Sequence, residues 1–221
     1  FLYPSIIGVS VYRDFKSEMH TILYSYPFTK AQYLLAKFFS GIFIVHFIVL
    51  IIALGIAFGF VLPGTNPDIV TDFELKPYLD IYLIYILPNM LFMGAIIFGV
   101  VTFTRNISAG FITVIIILIL QGFLISLFED PDKRYMAALL DPFGDAALSY
   151  YTRYWTVAEQ NELYIPIKGV LIHNRLLWGA VGIVLFGSIY KLFDFGQNAF
   201  TINFNKKDSK ISPTILEISL D

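Results

Sequence analysis

The residues able to do chemistry are few and unevenly placed in this chain of 221 residues. It has no cysteine and three histidines, His20, His46 and His173, which form neither an H-E-x-x-H nor any other paired spacing. The sequence therefore carries no zinc-peptidase site. It has no G-x-x-x-x-G-K-[ST] loop for a nucleotide. Its long apolar runs lack the Asp, Glu, Ser–Lys or His pairs an intramembrane enzyme would use. The densest polar chemistry is at Tyr12 to Lys37, with Arg13, Asp14, Lys16, Glu18, His20, Lys30 and Lys37. Charges mixed with apolar residues in this way suit recognition of another surface.

Those residues need an element to hold them. Phe15, Met19, Ile22, Leu23 and Tyr26 fall at i, i+4, i+7, i+8 and i+11, which predicts one stripe of a helix. Arg13, Asp14, Lys16, Ser17, Glu18 and His20 fall on its other side. Pro27 stops that helix. Thr29 and Gln32 have the spacing of a capping box, so a second helix is expected from about Lys30, running into a charge-free apolar run from Phe38. Such a helix–turn–helix has one general reading, an interfacial anchor lying on a membrane.

Composition supports the membrane. The chain is 57% hydrophobic and 14% charged, against about 25% charged in a soluble domain. A net charge of -2 gives no reason to expect nucleic acid as a partner. The expected fold is all-α, a polytopic bundle of about four complete spans, since about 20 helical residues cross the hydrocarbon. Residues 1–11 read as the end of a truncated span and 12–37 as the polar insert. Complete spans are expected at 38–62, 81–104, 107–128 and 172–195. An acidic loop at 63–80 follows the turn signals Pro63-Gly64 and Asn66-Pro67 and carries Asp68, Asp72, Glu74 and Asp80. A longer loop occupies 129–171, and a polar tail or linker with Lys206, Lys207 and Lys210 occupies 196–221.

Details within the spans carry further expectations. Gly55 and Gly59 form a G-x-x-x-G that permits close helix approach. Pro88-Asn89 predicts a kink, and Arg105-Asn106 a very short turn. His46 and Gln121 read as groups bonded to neighbouring helices. Arg175 and Lys191 read as snorkelling at the ends of the last span. In the long loop, Tyr135, Tyr150, Tyr151, Tyr154, Trp155 and Tyr164 suit the headgroup zone, and Tyr135–Leu140 and Asp145–Tyr154 suit short interfacial or re-entrant helices. The Lys/Arg-bearing insert, the Arg105 turn and the tail alternate with two acidic loops, which places the insert on the cytoplasmic side.

The insert resembles the permease subunits of ABC transporters of the type-2, or export permease, family. The matching residues are Arg13, Asp14, Thr21, Leu23, Ser25, Pro27, Thr29, Lys30 and Lys37, with Tyr12 where an acidic residue is usual. The resemblance implies that this segment is a coupling helix docking a separate ABC ATPase subunit. The residues then expected at the docking site are Arg13, Asp14, Phe15, Glu18, Met19, Ile22, Leu23 and Pro27. It also implies that ATP is bound by the partner and no cofactor by this chain, that a homodimer or second permease half completes the pore, and that the protein sits in the cytoplasmic (inner) membrane.

A narrower likeness rests on Asp141, Pro142, Phe143, Gly144, Thr152, Arg153, Tyr154, Trp155, Asn161, Asn174, Arg175 and Trp178. It is to bacterial permeases joined to a gluzincin-type zinc aminopeptidase domain. The function expected is thus the permease of an ABC exporter; the alternative is a non-transporting anchor or scaffold for a peptidase or other complex.

Overall fold

The computed structural model describes residues 2–23, 25–59, 62, 73–127, 131–195 and 201–202, with the side chains at 21, 124–127 and 131 excepted. Asp68, Asp72, both turn signals of the acidic loop and the tail lysines lie outside the described residues. The described residues are mostly helical and include no strand, an all-α polytopic bundle.

A π-helical turn, Pro4–Gly8, leads into α1, Val9–Lys16. After a sharp turn comes the four-residue α2, His20–Leu23, and then the long α3, Lys30–Gly59. The start of α3 is fixed locally. The Thr29 N–H donates to Gln32 Oε1 at 2.8 Å and the Gln32 N–H to Thr29 Oγ1 at 3.3 Å, a reciprocal cap for two orphan donors. A second long rod follows: α4, Leu75–Ile81, a π-helical turn Tyr82–Ile86, and α5, Leu87–Thr104. Pro88 explains the widened turn. In a straight helix its ring would meet the carbonyl four residues back. Here the turn loosens just before it, and the Leu87 N–H reaches the Tyr82 carbonyl.

Arg105 ends α5 in the left-handed region at φ 51°, and Asn106 Oδ1 accepts the Ser108 N–H at 2.8 Å to start α6, Ile107–Leu127. Three short helices follow a 3-10 turn at Pro131–Lys133: α7, Arg134–Leu140; α8, Asp145–Thr152; and α9, Val157–Glu162. The last helix is α10, Val170–Leu192. Among the described residues, α3, the Leu75–Thr104 rod and α10 are long and apolar enough to cross a membrane, and α6 is a further apolar helix.

α5 lies at the centre. It packs against α10, α6, α3 and the Pro4–Gly8 turn, and most of its residues from Met90 to Thr102 are buried. The first helix is threaded into this core, with Ile7 and Val11 both 0% exposed. Gly41 permits that entry: a Cβ there would lie 2.9 Å from Ile7 Cα. The G-x-x-x-G of 55–59 does not serve this purpose within the chain, because a Cβ on either glycine would meet nothing within 4 Å. The burial of α3 is confined to its first half, Tyr33 to Val45, and beyond it Ile51, Leu54 and Phe58 face outward. A large exposed apolar surface of this kind suits hydrocarbon as solvent.

Candidate functional site

The polar insert folds back on itself. α1 stops at Lys16, and Glu18 turns the chain at φ 56°. The Ser17 hydroxyl donates to the Arg13 carbonyl at 2.7 Å, the Glu18 N–H donates to the Phe15 carbonyl at 3.2 Å, and the Phe15 and His20 rings meet at 5.4 Å. The single helix expected over Phe15 to Tyr26 is therefore two pieces at an angle, and its stripe divides. Phe15 turns inward onto the core, with the Arg105 guanidinium 4.7 Å over its ring, and Leu23 is half-buried. Met19, Ile22, Tyr26 and Pro27 face outward, together with Arg13 and Glu18.

Asp14 is placed differently from its exposed charged neighbours. It is 5% exposed and bound from two sides, by the Tyr33 hydroxyl at 3.0 Å and the Lys37 ammonium at 2.7 Å. A carboxylate out of water needs such partners. The pair ties the end of α1 to the start of α3, so the projecting segment has a fixed base at each end. Tyr33 also stacks on Phe28 and on Phe193 at the end of α10, and Phe28 meets Phe195 edge-on at 5.8 Å. The Ile202 N–H bonds the Phe103 carbonyl at 2.9 Å, and Lys30 Nζ reaches the Lys191 carbonyl at 3.5 Å. The insert, the Arg105 turn and the end of α10 thus share one end of the bundle.

The opposite end carries α7–α9 and a second polar assembly. Asn174 Nδ2 lies 2.7 to 3.0 Å from the carbonyls of Ala138, Leu139 and Asp141, groups the last turn of α7 leaves without helical partners. The Asp141 carboxylate accepts the N–H groups of Phe143 and Ala146, capping α8. Asn89 donates to the Phe143 carbonyl at 3.0 Å and accepts from Arg175 Nη1 at 3.0 Å. Trp178 Nε1 donates to the Leu139 carbonyl at 3.3 Å. Residues of the narrower likeness, Asp141 to Gly144 with Asn174, Arg175 and Trp178, meet here as the lock that holds the α7–α8 hairpin on α5 and α10. Arg175 does not snorkel: it lies within α10 and turns into this lock. Asn89 carried no signal beyond its place after Pro88.

Gln121 bonds Asp145 on α8 at 3.4 Å. Partial desolvation, and then the nearby Asp141 carboxylate, push Asp145 above the usual carboxylate range. The Tyr82 hydroxyl is hydrogen-bonded to His46 Nδ1, a link between α3 and the π-helical turn. Among the described residues no group of His, Asp or Glu is arranged to hold a metal ion.

A bundle of membrane-length apolar helices, with a projecting polar segment between α1 and α3, defines an integral membrane protein. The sequence profile of the ABC-2 family transporter proteins matches residues 1–152, and the chain belongs to that family. It is a transmembrane permease component of an ABC transporter, a transport part rather than a catalytic one. The matched region contains the insert, the central α5 and the α7–α8 hairpin. No curated protein and no solved structure matches the chain.

Proposed function

We propose that this chain is a membrane half of an ABC exporter whose power stroke enters through the segment between α1 and α3. A separate ATPase subunit binds and hydrolyses ATP and docks on the outward residues Arg13, Glu18, Met19, Ile22, Tyr26 and Pro27. Asp14, Phe15 and Leu23 belong to the same element but act from its inner side, as its base. The observation that carries the reading is the Asp14–Lys37–Tyr33 junction. A push on the segment reaches α3 through that junction and α10 through the stack on Phe193, so nucleotide-driven closure shifts the balance between two arrangements of the spans. A homodimer or a second permease half completes the pathway. The basic residues of the insert and Arg105 support a cytoplasmic orientation of this end, in keeping with a protein of the inner membrane.

The test is an affinity pull-down from solubilised membranes with wild type and with Met19→Asp plus Ile22→Asp. Both positions are exposed, so the double variant is expected to keep the fold. An ATPase that accompanies wild type and is lost from the variant supports the proposal. If no ATPase accompanies either, the reading fails in favour of the anchor for a peptidase or another complex, to which the likeness of residues 141–178 points.

A further inference from the structure

A groove of about 420 Å³ runs between α3, α5 and α10 and is open on its outer side. Its walls are Phe38 and Phe39 of α3, Leu91 of α5 and Phe186 of α10. Its α10 side is low because Gly179 and Gly182 have no side chains to fill it. At the end nearest the α7–α8 hairpin stands Arg175, with Trp178 beside it. From Arg175 to Phe186 the helix rises about 16 Å, close to the roughly 15 Å depth of hydrocarbon in one leaflet.

Among the described residues no carboxylate comes within ion-pair distance of Arg175, although Asp141 and Asp145 act on its charge from further off. Arg175 hydrogen-bonds the amide oxygens of Asn174 and Asn89, and its guanidinium lies 5.4 Å over the Tyr85 ring. Nε, Nη1 and Nη2 each use one N–H in these bonds, which leaves donors on both terminal nitrogens. The hydrogen bonds of those two carboxylates go to other groups, Asp141 to two backbone N–H groups of the hairpin and Asp145 to Gln121 of α6, so the remaining N–H groups of Arg175 are not taken by them. An apolar channel one leaflet deep, headed by a guanidinium, matches an amphiphile with an acyl chain and an acidic head.

We propose that this groove is a site for one anionic phospholipid, with its phosphate on Arg175 and an acyl chain lying toward Phe38 and Phe186. The guanidinium fork fits phosphate oxygens, and its fixation by Asn89 and Asn174 pre-orients it. The lipid then braces α3 against α10, helices that pack mainly through α5. This inference is independent of ATPase docking.

The chain's own fluorescence tests it, since it has two tryptophans, Trp155 and Trp178. With Trp155→Phe, Trp178 is the sole reporter and lies in the groove. The full chain is reconstituted in phosphatidylcholine bilayers containing equal mole fractions of either brominated phosphatidylglycerol or brominated phosphatidylcholine. The quenching is expected to give a relative binding constant about fivefold in favour of the anionic lipid. Arg175→Gln should abolish that preference and Arg175→Lys should keep most of it. Gly179→Phe, on an open face away from the amide partners of Arg175, should reduce quenching by both lipids with the hairpin intact. Equal quenching by the two lipids with Arg175 present overturns the proposal, as does a preference that survives Arg175→Gln or quenching unchanged in Gly179→Phe.

Discussion

Asp14 of α1 and Lys37 of α3 close an ion pair of 2.7 Å across 23 residues of chain, with side-chain exposures of 7% and 23%. The contact places a charged group of the insert inside the protein, beneath the segment to which it belongs.

Removing either partner leaves the other charge nearly dry. Asp14→Ala or Lys37→Met is expected to destabilise the protein by about 3 kcal/mol, whereas the double change Asp14→Leu with Lys37→Met should be much closer to neutral. Thermal unfolding of the three variants in detergent measures this. A sum of the single losses in the double variant would show that the two residues act separately.

Gly41 and Gly55 are both glycines of α3 with opposite surroundings. Gly41→Ala forces a methyl to within 2.9 Å of the Ile7 backbone and should cost about 1 to 3 kcal/mol. Gly55→Ala meets nothing and should be neutral or stabilising by up to about 1 kcal/mol through helix propensity. Comparing the two melting temperatures checks whether α3 is held through its first half.

At Gly144, φ is +83° and an added Cβ would lie 2.1 Å from Arg175 Nη2. Gly144→Ala should therefore cost about 1 to 2 kcal/mol from conformation alone, plus the displacement of Arg175. Limited proteolysis should show new cleavage between α7 and α8, while cleavage in the insert at the other end is unchanged.

Glu159 titrates below its ordinary value of 4.5 because the Thr156 N–H and hydroxyl bond its carboxylate in a capping box. A depressed carboxylate stabilises the fold above its unfolded pKa, and that contribution is lost as pH falls from about 4.5 through the folded value. Amide exchange in α9 should therefore accelerate below pH 4.5 in wild type, relative to its neighbours. Glu159→Gln should remove that pH dependence.

Tyr82→Phe removes the hydroxyl bonded to His46. One such bond between membrane helices averages about 0.6 kcal/mol, so a small loss of thermal stability is expected. A large loss would show that the π-helical turn itself depends on it.

Much of the chain was legible in the order of its residues because the causes are local. Thr29 and Gln32 cap the helix that begins at Lys30, three residues apart and without help from elsewhere. Pro88 disturbs its own turn, and Arg105-Asn106 closes a reversal too short for anything else. Long apolar runs become membrane-length helices because backbone groups in hydrocarbon must bond within the segment. The reading of the insert as one helix failed for a complementary reason. The 3.6-residue stripe from Phe15 to Tyr26 is equally satisfied by two short helices, and the left-handed turn at Glu18 leaves no mark in that period.

The sequence by itself determined the membrane class, the helical content and the segment on which the functional reading rests. Only the tertiary structure decided that Asp14 points inward to a buried pairing, because its partners lie 19 and 23 residues away on another helix. It alone joined Asn89, Asp141 and Arg175, which α5, the hairpin and α10 contribute from separate parts of the chain. Periodicity reports which side of a helix is apolar, and it is silent on which polar residue another helix will come to cover. That depends on how close the helices can approach, and here glycines such as Gly41 set the distance.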